Sequence, residues 1–154
     1  MLGTDGNDVI ARTGSEAVRV VAGAGGDSIR TGSGDDVIVG QGGKDIIATG
    51  AGRDRIVYER AGDSTVSARD YITDFAVGSD LIDLSALSGS AAGSGAKLDW
   101  IGRNAFSGQA GELRFTGTAG GSTLIQADLD GDRTADFAIE LAGQKDLTAA
   151  SFVL

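Results

Sequence analysis

The sequence contains no cysteine, no histidine and no proline in 154 residues. Without cysteine, disulfides cannot stabilise the fold. Without histidine, the chain lacks the usual zinc ligand, the Ser-His-Asp triad and the commonest general base. Most enzyme classes are therefore disfavoured. The absence of proline fits a strand ladder in which nearly every backbone N–H is needed as a donor.

Aromatic residues and long apolar runs are also scarce. Hydrophobic residues make up 41% and aromatic residues 5%, which predicts a modest core in one domain or two small packed subdomains. No apolar stretch approaches the roughly 18 residues of a membrane span. The opening residues, Met1-Leu2-Gly3-Thr4-Asp5, do not resemble a secretory signal peptide, so export would use another route.

Acidic residues strongly outnumber basic residues. The net charge is −9 and the pI is near 4.3, which disfavours nucleic acid and anionic membranes as partners and favours multivalent cations. Carboxylates crowded into a glycine-rich segment repel one another until a cation neutralises them. We therefore expect calcium as the ligand.

A five-residue frame, Gly-x-Asp-x-Ile, occurs five times in the first sixty residues. Its aspartates are Asp8, Asp27, Asp36, Asp45 and Asp54. The last four are nine residues apart, which is too long for a helical turn and is the period of a calcium-loaded parallel β-roll. Ordinary Asx-turns without metal are the alternative explanation of these aspartates.

Each nine-residue unit is predicted to form a six-residue turn and a three-residue strand. Two units close one coil of 18 residues, so Asp27 should meet Asp45 on one side and Asp36 should meet Asp54 on the other. Turn glycines allow positive φ and let backbone carbonyls face a shared ion. The candidate calcium-binding glycines are Gly23, Gly25, Gly32, Gly34, Gly40, Gly43, Gly50 and Gly52.

The repeat is irregular at both ends. Asp8 lies 19 residues before Asp27, so we expect it to stack on Asp27 if the extra residue bulges outward. On the opposite side Val18 should face Asp36, and a calcium site there is lost. Asp63 is nine residues beyond Asp54, but the preceding glycines have largely disappeared. We therefore place the roll at residues 1–62 and a second region at 63–154.

The second region contains five predicted strands, and the last three have the pattern of an antiparallel meander. Predicted strands cover 70–75, 81–87, 112–116, 122–127 and 136–141, and residues 88–95 are predicted to be a flexible loop. We expect an all-β fold in which this C-terminal antiparallel sheet or sandwich caps the open end of the parallel β-roll.

Several strings resemble the RTX proteins, in particular the C-terminal region of serralysin-type secreted metalloproteases. The strings are Asp63-Ser64-Thr65-Val66, Asp70-Tyr71-Ile72-Thr73-Asp74-Phe75, Asp80-Leu81-Ile82-Asp83-Leu84-Ser85, Ala105-Phe106-Ser107-Gly108-Gln109-Ala110-Gly111-Glu112, Asp130-Gly131-Asp132, Ala135-Asp136-Phe137 and Ser151-Phe152-Val153-Leu154. In that family an acidic residue stands where this chain has Ser151. The protease half of the family carries a His-Glu-x-x-His zinc helix, which a chain without histidine cannot form.

The resemblance implies a non-catalytic, monomeric module of a secreted, extracellular bacterial protein. The family's roll binds calcium, and its C-terminal region carries an uncleaved signal for the type I secretion machinery. The resemblance also places Asp63 and Asp70 near a calcium site at the end of the roll.

Other functions stay open. Asp128, Asp130, Asp132 and Asp136 occupy positions one, three, five and nine of a calcium loop, but Gly131 falls at position four, so a polar hairpin turn is favoured. An accessory module of a polysaccharide-modifying enzyme such as an alginate epimerase is the second possibility, and an RTX adhesin or ice-binding solenoid is the third. Trp100 and Phe106 would contact sugar in such a module, but core packing explains them better.

Overall fold

The computed structural model describes residues 1–87 and 97–154. The predicted loop at residues 88–95 lies outside the described residues. Within them the chain forms thirteen strands: β1 (Val9–Ala11), β2 (Arg19–Val21), β3 (Ser28–Arg30), β4 (Val37–Val39), β5 (Ile46–Ala48), β6 (Arg55–Val57), β7 (Asp70–Ile72), β8 (Leu81–Asp83), β9 (Asp99–Gly102), β10 (Glu112–Gly117), β11 (Thr123–Asp128), β12 (Phe137–Leu141) and β13 (Phe152–Val153). Short 3₁₀ turns cover Ala61–Asp63 and Ala149–Ser151.

The first six strands form the predicted parallel β-roll. Strands β1, β3 and β5 lie side by side in one sheet, and β2, β4 and β6 lie in the other. The register follows the 18-residue coil, since Ile29 pairs with Ile47 and Ile38 pairs with Ile56. The middle residue of each strand is buried, because alternation along a strand sends that side chain inward.

The turns stack so closely that some positions tolerate only glycine. A Cβ built on Gly43 would lie 1.8 Å from the carbonyl oxygen of Gly25, and one on Gly50 would lie 1.9 Å from that of Gly32. Both glycines also have positive φ, at 137° and 88°, which side chains with a Cβ rarely adopt. Glycine therefore allows successive coils to approach each other.

The parallel stacking continues beyond residue 62. Strand β7 pairs parallel with β5, and β8 pairs parallel with β6. Both sheets of the roll thus extend as far as Asp83. The division into residues 1–62 and 63–154 stays a prediction, and the strand ladders themselves cross it.

The C-terminal sheet joins the roll by strand pairing. Strands β10, β11 and β12 form the predicted antiparallel meander, and β12 pairs parallel with β7. This makes one eight-stranded sheet in the order β1-β3-β5-β7-β12-β11-β10-β9, while β13 adds to β8 in a five-stranded sheet. The predicted all-β class, a parallel roll with a C-terminal cap, is confirmed.

One hydrophobic core runs through both regions. The roll contributes stacked isoleucines, and the junction adds the fully buried Tyr58, Phe75 and Phe137. Trp100 stacks on Phe115 with ring centroids 5.5 Å apart and packs against the core, as predicted. The same prediction is wrong for Phe106, which is half-buried outside that core, with the Arg114 guanidinium 4.2 Å from its ring centroid. No helix among the described residues has the length and apolarity to cross a membrane.

Replacing Ile47 with alanine should destabilise the calcium-loaded protein by about 2–5 kcal/mol, because Ile47 is fully buried between Ile29 and Ile72 and its truncation leaves a cavity. The matched control is Ile46→Ala, whose side chain is 50% exposed and which should cost less than about 1 kcal/mol. Urea unfolding monitored by circular dichroism measures both. Equal losses would contradict the inward orientation of Ile47.

Candidate metal centre

Four aspartates form a first column along one edge of the roll. The backbone N–H of Asp8 donates to Oδ1 of Asp27, that of Asp27 to Asp45, and that of Asp45 to Asp70, each at 2.9 Å. Asp27, Asp45 and Asp70 therefore each accept an N–H from the coil before them. The predicted stacking of Asp8 on Asp27 and of Asp27 on Asp45 is present.

A second column lies on the opposite edge. The N–H of Asp36 donates to Oδ1 of Asp54 at 2.9 Å, and that of Asp54 donates to Oδ1 of Asp80 at 3.1 Å. At its start the N–H of Val18 donates to Oδ1 of Asp36 at 2.9 Å. Val18 thus takes the position of an aspartate, as predicted, and brings no carboxylate.

Five aspartates of the two columns have a second carboxylate oxygen without a hydrogen-bond partner. The Oδ2 atoms of Asp27, Asp36, Asp45, Asp54 and Asp70 are buried and accept no hydrogen bond. These residues are at most 2% exposed. A buried carboxylate oxygen without a partner is costly, and the ion pairs of the described residues involve none of these five side chains.

Burial raises the pKa of the carboxyl groups of Asp27, Asp45, Asp54 and Asp70. Burial first and the charges of neighbouring carboxylates second bring the pKa of Asp45 and of Asp54 to about 6 and that of Asp70 to about 8. Burial, followed by the charge of Asp70, also raises the pKa of Tyr58, whose hydroxyl lies beside Asp70 without a well-aligned hydrogen bond. The columns therefore carry unfavourable negative charge that a cation would relieve.

The unpartnered oxygens of the first column converge beside a turn glycine. A Cβ on Gly40 would lie 2.3 Å from Oδ2 of Asp45 and 3.7 Å from Oδ2 of Asp70. The lack of a side chain at Gly40 leaves the space in front of both oxygens open. The two carboxylate oxygens that face this space are the hard oxygen donors that Ca²⁺ prefers.

The predicted turn glycines all lie in the stacked turns. Whether their carbonyls bind calcium stays a prediction. Gly32, Gly34 and Gly52 each approach the backbone of the previous coil so closely that a Cβ would lie within 2.6 Å of it. Gly23 and Gly25 face the first turn, around Thr4 and Gly6, in the same way.

Asp63 is bound locally and is not a member of the column. Its carboxylate accepts the backbone N–H groups of Glu59 and Arg60, and the Arg60 side chain at 2.8 Å. Asp70 occupies the column position below Asp45 instead. The charge of Asp63 still raises the pKa of Asp45 and Asp70, and its role as a calcium ligand stays a prediction.

A third acidic group lies at the turn between β11 and β12. Carboxylate oxygens of Asp128, Asp130 and Asp136 lie within 4.8 Å of one another. Asp128 accepts two backbone N–H groups within the turn, and Asp130 and Asp136 accept one each. Asp132 accepts the N–H of Thr134. These contacts support the hairpin interpretation favoured by the spacing.

Sequence reasoning missed two aspartates at the end of the second column: Asp80, which is its last member, and Asp74, which binds the neighbouring turn. Asp74 accepts the N–H groups of Thr49 and Gly50 at 2.8 and 2.9 Å. Asp80 lies in a sixth copy of the repeat frame, Gly78-Ser79-Asp80-Leu81-Ile82, and this signal was available. Asp74 carries no such frame.

Two stacked columns of turn aspartates on a parallel roll define an RTX-type β-roll module. The family described as Peptidase M10 serralysin C terminal matches residues 2–154. The chain belongs to that family, which confirms the resemblance found in the sequence.

Proteins similar to the chain include a serralysin and a metalloprotease. Serralysin C of Dickeya chrysanthemi is 37% identical over 94 residues, covering 60% of this chain and 18% of that protein. Metalloprotease AprA of Pseudomonas entomophila (strain L48) is 42% identical over 95 residues, covering 60% of this chain and 19% of that protein. The matched stretch spans less than a fifth of each relative.

The fold also matches solved structures. The AlgE6R3 subunit of the Azotobacter vinelandii mannuronan C5-epimerase superposes with a TM-score of 0.67 at 23% identity, over 98% of this chain and 80% of that subunit. The AlgE6R2 subunit gives the same TM-score and identity over 99% of this chain and 91% of that subunit. At this identity the likeness concerns the fold alone.

The raised pKa values predict that acid stabilises the metal-free fold. A carboxyl group whose pKa is higher in the folded state binds more protons when folded, so its contribution is fully present below about pH 4 and is lost as pH rises through the folded pKa. For Asp45, Asp54 and Asp70 that window extends from about pH 4 to about 8. In chelator, β-structure measured by circular dichroism should therefore decrease from pH 5 to pH 8.

The control is Asp70→Asn, which removes the group with the highest of these pKa values and should reduce the loss of β-structure between pH 6 and 8. The pKa values of Asp83 and Glu112 are lowered, so protonation of these two groups changes the stability of the fold only below pH 5. A metal-free fold that gains stability toward pH 8 would contradict the charge repulsion described for the columns.

Proposed function

We propose that this chain is a calcium-binding module whose folding depends on the ion. The observation that carries the proposal is the set of five buried Oδ2 atoms without partners, arranged in two columns. Their spacing follows the coil, so one ion between successive turns would contact carboxylates of both. The ligands in this proposal are the column aspartates Asp8, Asp27, Asp36, Asp45, Asp54 and Asp70, together with carbonyls of the turn glycines.

The chemistry of the donors favours Ca²⁺ over other ions. Calcium accepts six to eight oxygen ligands and tolerates a mixture of carboxylates and carbonyls, whereas magnesium requires a tighter octahedron and retains water. The described residues offer neither histidine nor cysteine, so softer transition metals lack their preferred ligands.

Ion binding and folding are one event in this proposal. Without calcium, repulsion between stacked carboxylates opposes a roll whose interior is only one isoleucine wide per strand. With calcium, the same carboxylates attract a common ion, and the binding free energy becomes folding free energy. Extracellular modules bind calcium at about 10⁻⁴ to 10⁻³ M, so the chain would stay unfolded in a calcium-poor cytosol and fold outside the cell.

Export is the second part of the proposal. Family membership supports an uncleaved signal in the C-terminal region for type I secretion, here around Ser151–Leu154, in the non-catalytic part of a larger secreted protein such as a serralysin-type protease. In the folded chain Phe152 and Val153 pair with β8. Before folding, this segment would be free for the secretion machinery.

Calcium titration tests the first part. In chelator at pH 7.5 the chain should show little β-structure by circular dichroism, and added calcium should restore it cooperatively. Asp45→Asn should raise the calcium midpoint by at least about threefold, because it removes a carboxylate charge from the ion. Asp36→Asn should act in the same direction.

The matched control is Asp130→Asn, an exposed aspartate outside both columns, whose midpoint should equal that of the unchanged protein. A full β spectrum in chelator, or equal shifts from Asp45→Asn and Asp130→Asn, would refute calcium-dependent folding of the roll.

Export is tested by fusing a passenger protein to the N-terminus of the chain and co-expressing it with a serralysin type I exporter. The intact fusion should accumulate in the medium, and a version lacking residues 151–154 should stay in the cells. An Asp45→Asn fusion controls for weakened calcium binding with the terminus intact. Equal export with and without residues 151–154 would exclude a signal in that segment.

A further inference from the structure

A tyrosine lies where the first column ends. Tyr58 directly follows β6, one coil after Gly40 and two coils after Ala22. Its backbone N–H donates to the carbonyl of Asp83, the last residue of β8, at 3.0 Å, as the N–H of Ala22 donates to the last residue of β4 at 2.9 Å. Tyr58 therefore occupies a position that small residues hold in the earlier coils.

The Tyr58 ring lies in the interior between the two sheets. The residue is 1% exposed, and its ring packs edge-on against Phe137 of β12, with ring centroids 5.2 Å apart. Both rings belong to the core that the roll shares with the C-terminal region. A tyrosine hydroxyl enclosed in this way has to find its partner inside the protein.

The hydroxyl of Tyr58 faces the last carboxylate of the column. It lies beside the Asp70 side chain, and the charges of Asp45 and Asp63 also act on it. Both the hydroxyl and Oδ2 of Asp70 are buried and lack a well-aligned hydrogen bond. A phenol offers a hydrogen-bond donor and an ionised carboxylate is an acceptor only, so rotation of the carboxyl group would pair the two.

The other polar atoms of Asp70 are already held. Its Oδ1 accepts the N–H of Asp45, and its own N–H donates to Oγ of Ser64, each at 2.9 Å. In the ion pairs of residues 1–87 and 97–154, no arginine or lysine contacts Asp70. The orientation of its carboxyl group therefore decides how Oδ2 faces the open space at Gly40.

We propose that Tyr58 is a positioning residue that ends the first column, because its hydroxyl donates a hydrogen bond to the ionised Asp70 carboxylate and holds it toward the space at Gly40. The inference rests on the calcium-binding function proposed above and adds a residue that is not itself a ligand. A hydrogen bond to the charged form of a buried carboxylate favours that form and therefore favours a bound cation. The ring fills the place of a small turn residue, so the column stops at Asp70.

The test removes the hydroxyl and keeps the ring. Tyr58→Phe should raise the calcium midpoint for folding, followed by circular dichroism at pH 7.5, at least about threefold above that of the unchanged protein. The matched control is Tyr71→Phe, which removes the hydroxyl of a half-buried tyrosine directly after Asp70 in β7. Its midpoint should equal that of the unchanged protein.

A double-mutant comparison separates positioning of Asp70 from packing of the ring. In a chain that carries Asp70→Asn the hydroxyl has no charged carboxylate to hold, so adding Tyr58→Phe should not shift the midpoint further. A purely structural role would shift the midpoint equally in both backgrounds, and that result would overturn the inference.

The remaining outcomes separate the two proposals. If the unchanged protein shows its full β spectrum in chelator, the proposed function fails and this inference fails with it. If folding requires calcium but Tyr58→Phe and Tyr71→Phe have the same midpoint, only the role of Tyr58 is excluded.

If Tyr58→Phe does not fold, nuclear magnetic resonance decides. The chain has two tyrosines, so in the Tyr71→Phe variant a carbon-13 label at the tyrosine Cζ reports on Tyr58 alone. In saturating calcium this resonance should move when Asp70→Asn is added, because the hydroxyl loses its charged acceptor. An unchanged resonance would overturn the inference.

Discussion

Repulsion between buried carboxylates one coil apart is the constraint on which the rest of this structure depends. The 18-residue register that stacks Ile29 on Ile47 also stacks Asp27 on Asp45. Apolar packing and charge repulsion therefore cannot be separated, since any register that buries the isoleucines aligns the aspartates. A roll with so narrow an interior has little hydrophobic free energy with which to offset that repulsion. A cation shared between coils resolves the conflict, because it turns each repulsive pair into a pair of ligands.

Glycine makes this arrangement sterically possible. Where Gly43 meets Gly25 and Gly50 meets Gly32, the carbonyl of one coil occupies the volume that a Cβ of the next would need. At Gly40 the lack of a side chain leaves the space in front of the Asp45 and Asp70 carboxylates open. The repeat thus uses the missing side chain of glycine in two ways within one turn, for close backbone approach and for access to the carboxylates.

The sequence predicted the regular part of the fold and the stacking of the aspartates because both depend on a local period. The nine-residue period placed Asp27 against Asp45 and Asp36 against Asp54. It also predicted that Val18 takes the place of an aspartate opposite Asp36. Counting failed at Asp80, because eight extra residues separate it from Asp54 although its own Gly-x-Asp-x-Ile frame is intact. The two-residue strand β13 forms by pairing with β8, and the short β9 forms by pairing with β10. Such nonlocal pairing leaves no periodic signal.

The junction shows why the two regions cannot be treated as independent. Strand β7 pairs with β5 of the roll and with β12 of the meander, while β8 pairs with β6 and with β13. Each of these shared strands begins at or directly after a column aspartate, Asp70 for β7 and Asp80 for β8. Asp70, one of the proposed calcium ligands, is therefore also the first residue of a strand that belongs to both regions. An ion held by Asp70 would consequently stabilise the C-terminal sheet through the backbone of β7, without any separate contact between the ion and that sheet.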